Sequence, residues 1–391
     1  MQLRKKFTKT IAVMLSAVLV GLFGTAEYYS QRLPQTVTAE RTEDVKFALY
    51  PELSADYSAD CVSMSLFGAI PVKNININQE EAPTLIAGGN PFGIKLLMEG
   101  VMVTGMGDID SVCPAEEAGI EKGDIITLAD NQSVISNSAL QSIINNSEGE
   151  SIELSVKRGE KVFNVDLKPV YCQKSGTWKG GMWVRDSIAG IGTMTFIDKS
   201  TGHFAGLGHP VCDSSTGELI PIHSGEAVPV VITDMKKGSA GIPGELHGEF
   251  TRLPVYGTLT QNSDSGVFGS LSDLSSQILC NNAQEYKMGY RQDITTGEAY
   301  ILTTVSGSEP KKYSVEIEQI DYNSKESAKN MIIRITDEEL LEASGGIVQG
   351  MSGSPVIQND KLIGAVTHVF VADPTRGYAI FAENMFQSIS E

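Results

Sequence analysis

Short runs of alternating apolar and polar positions dominate the chain. Lys73–Asn78 alternates strictly, and Ile152–Val156 and Val162–Leu167 alternate on either side of an Arg158-Gly159-Glu160 turn. A period of two puts one strand face on a core and the other in water. Val45–Tyr50, Val62–Val72, Met102–Thr104, Gly190–Ile197, Val228–Thr233, Ser314–Ile320 and Met331–Thr336 supply further strands. Helical spacing is confined to short pieces. Ser136–Ile144 carries Leu140, Ile143 and Ile144 behind a Ser136 or Asn137 N-cap, and the stretch from Pro114 begins with a short helical turn that Gly119 stops. Many short strands joined by glycine-rich turns predict a mainly β chain built of sandwiches or barrels.

One segment breaks this rhythm. Arg4, Lys5, Lys6 and Lys9 precede an unbroken apolar run from Ile11 to Phe23, followed by Gly24-Thr25-Ala26. A basic start and an apolar middle make a signal peptide or a signal anchor. Either reading exports the rest of the chain and keeps the basic end inside. Residues 27–85 are then expected to form a membrane-proximal segment with some β structure.

Composition narrows the function. With 391 residues the chain has room for two or three domains. Its net charge of −18 repels phosphate backbones, which argues against a nucleic-acid partner. The five cysteines are scattered, without the close spacing of a zinc site or the even count of a disulfide framework. No metal or other cofactor is expected.

The chemistry concentrates near the C-terminus. Ile347-Val348 runs into Gln349-Gly350-Met351-Ser352-Gly353-Ser354-Pro355, then a strand at Val356-Ile357, a turn at Asn359-Asp360-Lys361 and a second strand at Leu362–Val369. Glycine on either side of Ser352 allows positive φ and close substrate approach. A loop of this kind can aim successive N–H groups at one point, as an oxyanion requires. A serine nucleophile also needs a base. Of the five histidines, His209, between Gly208 and Pro210 at the end of a strand, suits a cleft best. His203 sits beside a turn, His223 and His247 lie in polar stretches, and His368 follows the serine loop and can line a substrate groove. The orienting acid stays open on residues alone. Asp337 competes with Asp213, Asp234 and Asp264, and Thr336-x-x-Glu339 also makes Asp337 part of a helix start.

Three resemblances rest on these residues. Gly350-Met351-Ser352-Gly353-Ser354-Pro355 is similar to the nucleophile loop of chymotrypsin-like serine proteases, which implies Ser352 as nucleophile and the N–H groups of Gly350 and Ser352 as oxyanion hole. Ala115, Ala118-Gly119, Gly123-Asp124 and Ile126 resemble a PDZ domain over residues 86–172, whose implied peptide-binding loop contains Phe92, Gly93 and Ile94. Taken with Gly190–Phe196, Gly206–His209, Ile335–Asp337 and Gly364–Val369, the arrangement resembles the stage IV sporulation protein B peptidases.

That likeness implies residues 1–26 as signal peptide or anchor, the PDZ domain, and a chymotrypsin-like double β-barrel serine peptidase over 175–391. It implies the triad His209, Asp337 and Ser352, although Asp337 lies only 15 residues before Ser352. It further implies export into the space between forespore and mother-cell membranes. There the peptidase cleaves itself, and then a membrane-associated regulator of an intramembrane protease. The PDZ domain would take a peptide ligand. A second class competes: a non-catalytic PDZ scaffold with a protease-like domain.

Overall fold

The computed structural model describes residues 2–47, 50–214, 216–251, 255–281 and 283–390. Helix α1 (Gln2–Arg32) is continuous, and its Ile11–Arg32 stretch is long and apolar enough to cross a membrane. Twenty-two residues at about 1.5 Å each match a hydrocarbon core of about 30 Å. The helix ends on a four-stranded sheet made of β1 (Thr36–Ala39), β2 (Leu53–Tyr57), β3 (Cys61–Leu66) and β4 (Ile70–Gln79), in the order β1-β4-β3-β2. Lys73 of β4 donates to the carbonyls of Ser30 (3.0 Å) and Leu33 (2.6 Å), so a side-chain cation closes the last turn of α1. The expected Val62–Val72 strand is two strands, split by a turn in which Phe67 and Gly68 both take positive φ. Val45–Phe47 is not strand, and residues 48 and 49 of that expected strand lie outside the described residues.

Two closed barrels follow. Strand β5 (Thr84–Ala87) leads into the long β6 (Pro91–Met106). Beyond β6 come α2 (Pro114–Glu117), β7 (Ile125–Ala129), β8 (Gln132–Ser133), α3 (Asn137–Asn146), β9 (Ile152–Arg158) and β10 (Lys161–Leu167), then the small hairpin β11 (Val170–Cys172) and β12 (Thr177–Lys179). The chain re-enters a barrel through β13 (Met182–Ile197), β14 (His203–Gly206), β15 (Ile222–Lys236), β16 (Glu245–Phe250), β17 (Gly257–Ser263) and β18 (Gly266–Leu271). Pairings run β6-β13-β14-β18-β17-β15 and back to β6, which closes a first six-stranded barrel. Phe92, Ile94, Leu96, Met194, Phe204 and Val267 fill it.

After α4 (Asp273–Cys280) and β19 (Glu285–Met288), the second barrel uses β20 (Gly297–Thr303), β21 (Lys311–Ile320), β22 (Met331–Ile335), β23 (Pro355–Gln358), β24 (Lys361–Phe370) and β25 (Asp373–Phe381), with α5 (Glu338–Ser344) between β22 and β23 and α6 (Ala382–Ser390) at the end. It closes as β24-β23-β20-β21-β22-β25 and back to β24. Strand β5 pairs with β13 of the first barrel and with β19, which itself pairs with β24 of the second, so the two barrels share one seam. Full closure removes exposed strand edges. The expected mainly β double barrel is therefore what forms.

A smaller unit stands beside the first barrel. Its core gathers Val101, Val103, Ile126, Leu140, Ile144 and Leu154 from the end of β6, β7, α3 and β9. Asp124 of the Gly123-Asp124 pair is buried beneath Arg158, which holds both carboxylate oxygens at 2.7 and 2.8 Å. That motif therefore pins β9 to the β6–β7 connection.

The residues expected to form the ligand loop, Phe92, Gly93 and Ile94, stand in β6. These three residues are buried strand in the first barrel, paired with β13 and β15. Inward alternation of Phe92, Ile94, Leu96 and Met98 suits a barrel wall. Gly93 is required because a Cβ there would come within 2.5 Å of the Phe250 ring. The core of the small unit thus draws on β6 only from Val101 onward.

Candidate active site

Ser352 lies in the turn before β23, at the mouth of the second barrel. Gly350 (φ +100°) and Gly353 (φ +95°) flank it, both in the left-handed region. At Gly353 a Cβ would meet the Thr193 carbonyl at 1.9 Å, so the loop closes against β13 only with glycine there. From β13, Thr193 N–H donates to the Ser352 carbonyl (2.9 Å), Thr193 Oγ1 to the Gly350 carbonyl (2.8 Å) and Thr195 Oγ1 to the Gly353 carbonyl (2.8 Å). Among the described residues the N–H groups of Gly350 and Ser352 find no acceptor. Both residues are half-buried, and two such amides at a cleft are preorganised donors for a developing oxyanion.

His209 faces this loop from the first barrel. Leu207 (φ +66°) and Gly208 (φ +70°) turn the chain sharply out of β14. A non-glycine in that region costs on the order of 1 kcal/mol or more, and Gly192 makes room for the Leu207 side chain. Ser352, His209, Gly350 and His368 line one cleft of ≈ 400 Å³ between the barrels, with aliphatic walls from Ile94, Ile191, Ile347 and Val369. His203, His223 and His247 do not line it.

His209 Nδ1 lies 2.9 Å from the Pro210 carbonyl. That contact makes Nδ1 the protonated nitrogen and leaves Nε2 as the basic one. Burial pushes the His209 cation down, partly offset by the Pro210 carbonyl. The His368 ring stands 4.7 Å from it, tilted by 38°. His368 keeps one side in solvent, yet desolvation, His209 and Lys329 together hold its pKa down to about 4, against the opposing pull of Glu326. Two neutral imidazoles are thus stacked beside the serine.

Asp337 is not in this cleft. It is the N-cap of α5, accepting from Leu340 N–H at 3.1 Å and from Ser314 N–H at 3.3 Å. The helix-start reading of Thr336–Glu339 describes its contacts, and the position an orienting acid would take on His209 is filled by a backbone carbonyl. Among the rivals, Asp213 is buried and paired with Arg185, Asp234 bonds the N–H of its neighbour Met235, and Asp264 is exposed. The contribution of His368 was only half visible in the sequence: its place on the strand after the serine loop was legible, its stacking on His209 was not.

Ser352 itself is turned away. Its hydroxyl donates to the Thr367 carbonyl at 2.7 Å. One hydroxyl carries one proton, so this bond excludes donation to His209.

With two closed barrels, a serine loop on one and a histidine on the other, the sequence comparison is decisive. The SpoIVB peptidase S55 family matches residues 176–386, more than half of the chain. The chain belongs to that family. It is a serine peptidase with a PDZ domain, the latter matched over residues 78–168. No curated protein matches it. Among solved structures, the PDZ domain of the SdrC-like protein Lmo2051 from Listeria monocytogenes is 26% identical, covering 22% of this chain and 90% of that one at a TM-score of 0.20. The active form of the Rv3671c protease from M. tuberculosis is 14% identical, covering 52% of this peptidase and 74% of that chain at a TM-score of 0.29. Its inactive form is 12% identical, covering 51% and 83% at 0.30.

Proposed function

We propose that this S55 peptidase is a regulatory serine endopeptidase of sporulation, which cuts itself and then a membrane-associated regulator of an intramembrane protease, leading to activation of a late sigma factor. One observation carries the catalytic part: unbonded amides of Gly350 and Ser352 share a cleft with His209. Ser352 attacks the scissile carbonyl after a χ1 rotation frees its hydroxyl from Thr367. His209 Nε2 takes the proton. The Pro210 carbonyl fixes the tautomer, and the face of neutral His368 shelters the imidazolium that forms. Gly350 and Ser352 amides receive the oxyanion. The Pro210 carbonyl takes the Nδ1 position that the acid of a triad would have. Aliphatic walls favour substrates with apolar side chains beside the scissile bond. Helix α1 supports export and membrane anchoring, and the forespore setting follows the family.

The Ser352–Thr367 bond is also what a non-catalytic PDZ scaffold would display, and one experiment separates the two. The full chain in detergent is exposed to a fluorophosphonate beside Ser352→Ala, with intact mass followed over time. Covalent labelling and self-cleavage that both vanish in Ser352→Ala establish the peptidase. An unlabelled, intact wild-type chain establishes the scaffold.

A further inference from the structure

Helix α1 is not a loose tether. Its last turns are bound into the sheet that follows. Lys73 of β4 bonds the Ser30 and Leu33 carbonyls, Tyr29 donates its hydroxyl to Glu52, and the Tyr29 and Tyr50 rings stand 5.2 Å apart. Asn323, between β21 and β22, donates to the Gln31 carbonyl at 2.8 Å. The helix and the folded body are thus tied at several points. The depth of α1 in a bilayer therefore sets the depth of whatever lies beside it.

The sheet lies beside more of α1 than its end. Leu22, Ala26, Tyr29 and Leu33 are buried or half-buried, while Phe23, Gly24, Thr25, Glu27 and Tyr28 are exposed. The first four stack on one helix face. Ala26 is only 6% exposed, yet it belongs to the Ile11–Arg32 stretch that is apolar enough to cross a membrane. The element packed on α1 is β4. Strand β1 leads the chain away from α1 and runs parallel to β4, so β4 followed backwards returns along the helix. From Lys73 to Ile70 that is about 10 Å, the rise of about seven helical residues. Counted back from Leu33, this reaches Ala26. The turn between β3 and β4 stands at the level of the membrane-crossing stretch.

The chemistry of that turn suits lipid. Leu66-Phe67-Gly68-Ala69-Ile70-Pro71-Val72 carries no charge. At the opposite end of β3 the exposed residues include Asp56 and Asp60. The nearest charges to the turn are occupied: Glu52 takes the Tyr29 hydroxyl, and the Lys73 ammonium is on helix carbonyls. Phe67 has φ +54° with its side chain 69% exposed. Glycine, asparagine and aspartate are at home in the left-handed region, and a bulky aromatic residue is strained there. In water this strain would only display an apolar ring to solvent. Among acyl chains the same ring is buried. Tyr28 and Tyr29, on the neighbouring helix turn, are the side chains that a bilayer boundary favours.

We propose that the β3–β4 turn is a second membrane contact: Phe67, with Ala69, Ile70 and Pro71 beside it, enters the headgroup boundary of the bilayer that α1 crosses and fixes the tilt of the folded body above it. The premise is a membrane-crossing α1; the chemistry of Ser352 plays no part. The test uses the full chain in liposomes of phosphatidylcholine and phosphatidylglycerol, with a benzophenone amino acid at position 67, 69 or 60. After irradiation, adducts are weighed by intact mass. Lipid adducts form at 67 and at 69 at least fivefold more than at 60. Phe67→Asn, which suits the left-handed turn, keeps the denaturation midpoint in detergent and cuts the yield at 69 several-fold. Equal yields at all three positions, in a chain that resists alkaline extraction, overturn the contact. So do adducts at 67 and 69 that join only a second copy of the chain. A yield at 69 that Phe67→Asn leaves unchanged overturns the part given to the ring. A chain that alkali extracts overturns the premise and the contact with it.

Discussion

At the scale of single residues, Asp337 divides two accounts sharply. As a helix N-cap, Asp337→Ala costs about 1 kcal/mol of stability and leaves Ser352 labelling within about threefold. As the acid of a triad, its loss would cost about 10⁴ in rate, and labelling kinetics beside a denaturation curve distinguish these. The histidines predict a pH dependence. Burial lowers the His209 cation below its usual 6.5, so the basic form persists further into acid and the labelling midpoint falls below 6.5. Below 6.5 the unfolded chain binds protons that His209 and His368 refuse in the folded state, so stability falls as pH drops from about 6.5 towards the His368 value of about 4. His368→Gln flattens that decline, measured as denaturation midpoint against pH.

At the scale of elements, the serine loop and β13 form a single device. Gly353→Ala drives a Cβ into the Thr193 carbonyl; it should cost on the order of 3 kcal/mol or more and remove fluorophosphonate labelling together with the sharp thermal transition. The sequence made most of this device legible. The Gly350–Pro355 pattern, the Asn359-Asp360 turn with both residues at positive φ, and the Ser136 N-cap are local, and local chemistry decides them. What escaped was long-range. Phe92-Gly93-Ile94 reads equally well as a PDZ loop or a barrel strand, because alternation does not say which sheet a strand will join. Met182–Arg185 gave no sign of sitting beside α3, some forty residues earlier in the chain. Asp337 carried both of its meanings in one short motif, and only tertiary placement chooses between them.

At the scale of the whole molecule, the N-terminal sheet is welded to the second barrel. Val37, Val45, Phe47 and Val62 share a core with Ile294 and Tyr322, and the Phe47 and Tyr322 rings meet edge to face at 5.3 Å. Phe47→Ala should cost about 3–5 kcal/mol, read as a lower chemical-denaturation midpoint. Gln292 donates to the Thr38 carbonyl at 2.6 Å and Lys287 pairs with Glu40 at 3.0 Å, adding polar ties across the same boundary. The covalent link between sheet and barrels is only the stretch 80–83, where Glu80 and Glu81 are exposed. A nick there divides the polypeptide without dividing the particle. It would run as two bands in denaturant and as one species by size exclusion, still held to the bilayer by α1. Severing this chain and setting it free are therefore separate events, and the second waits on the sheet letting go.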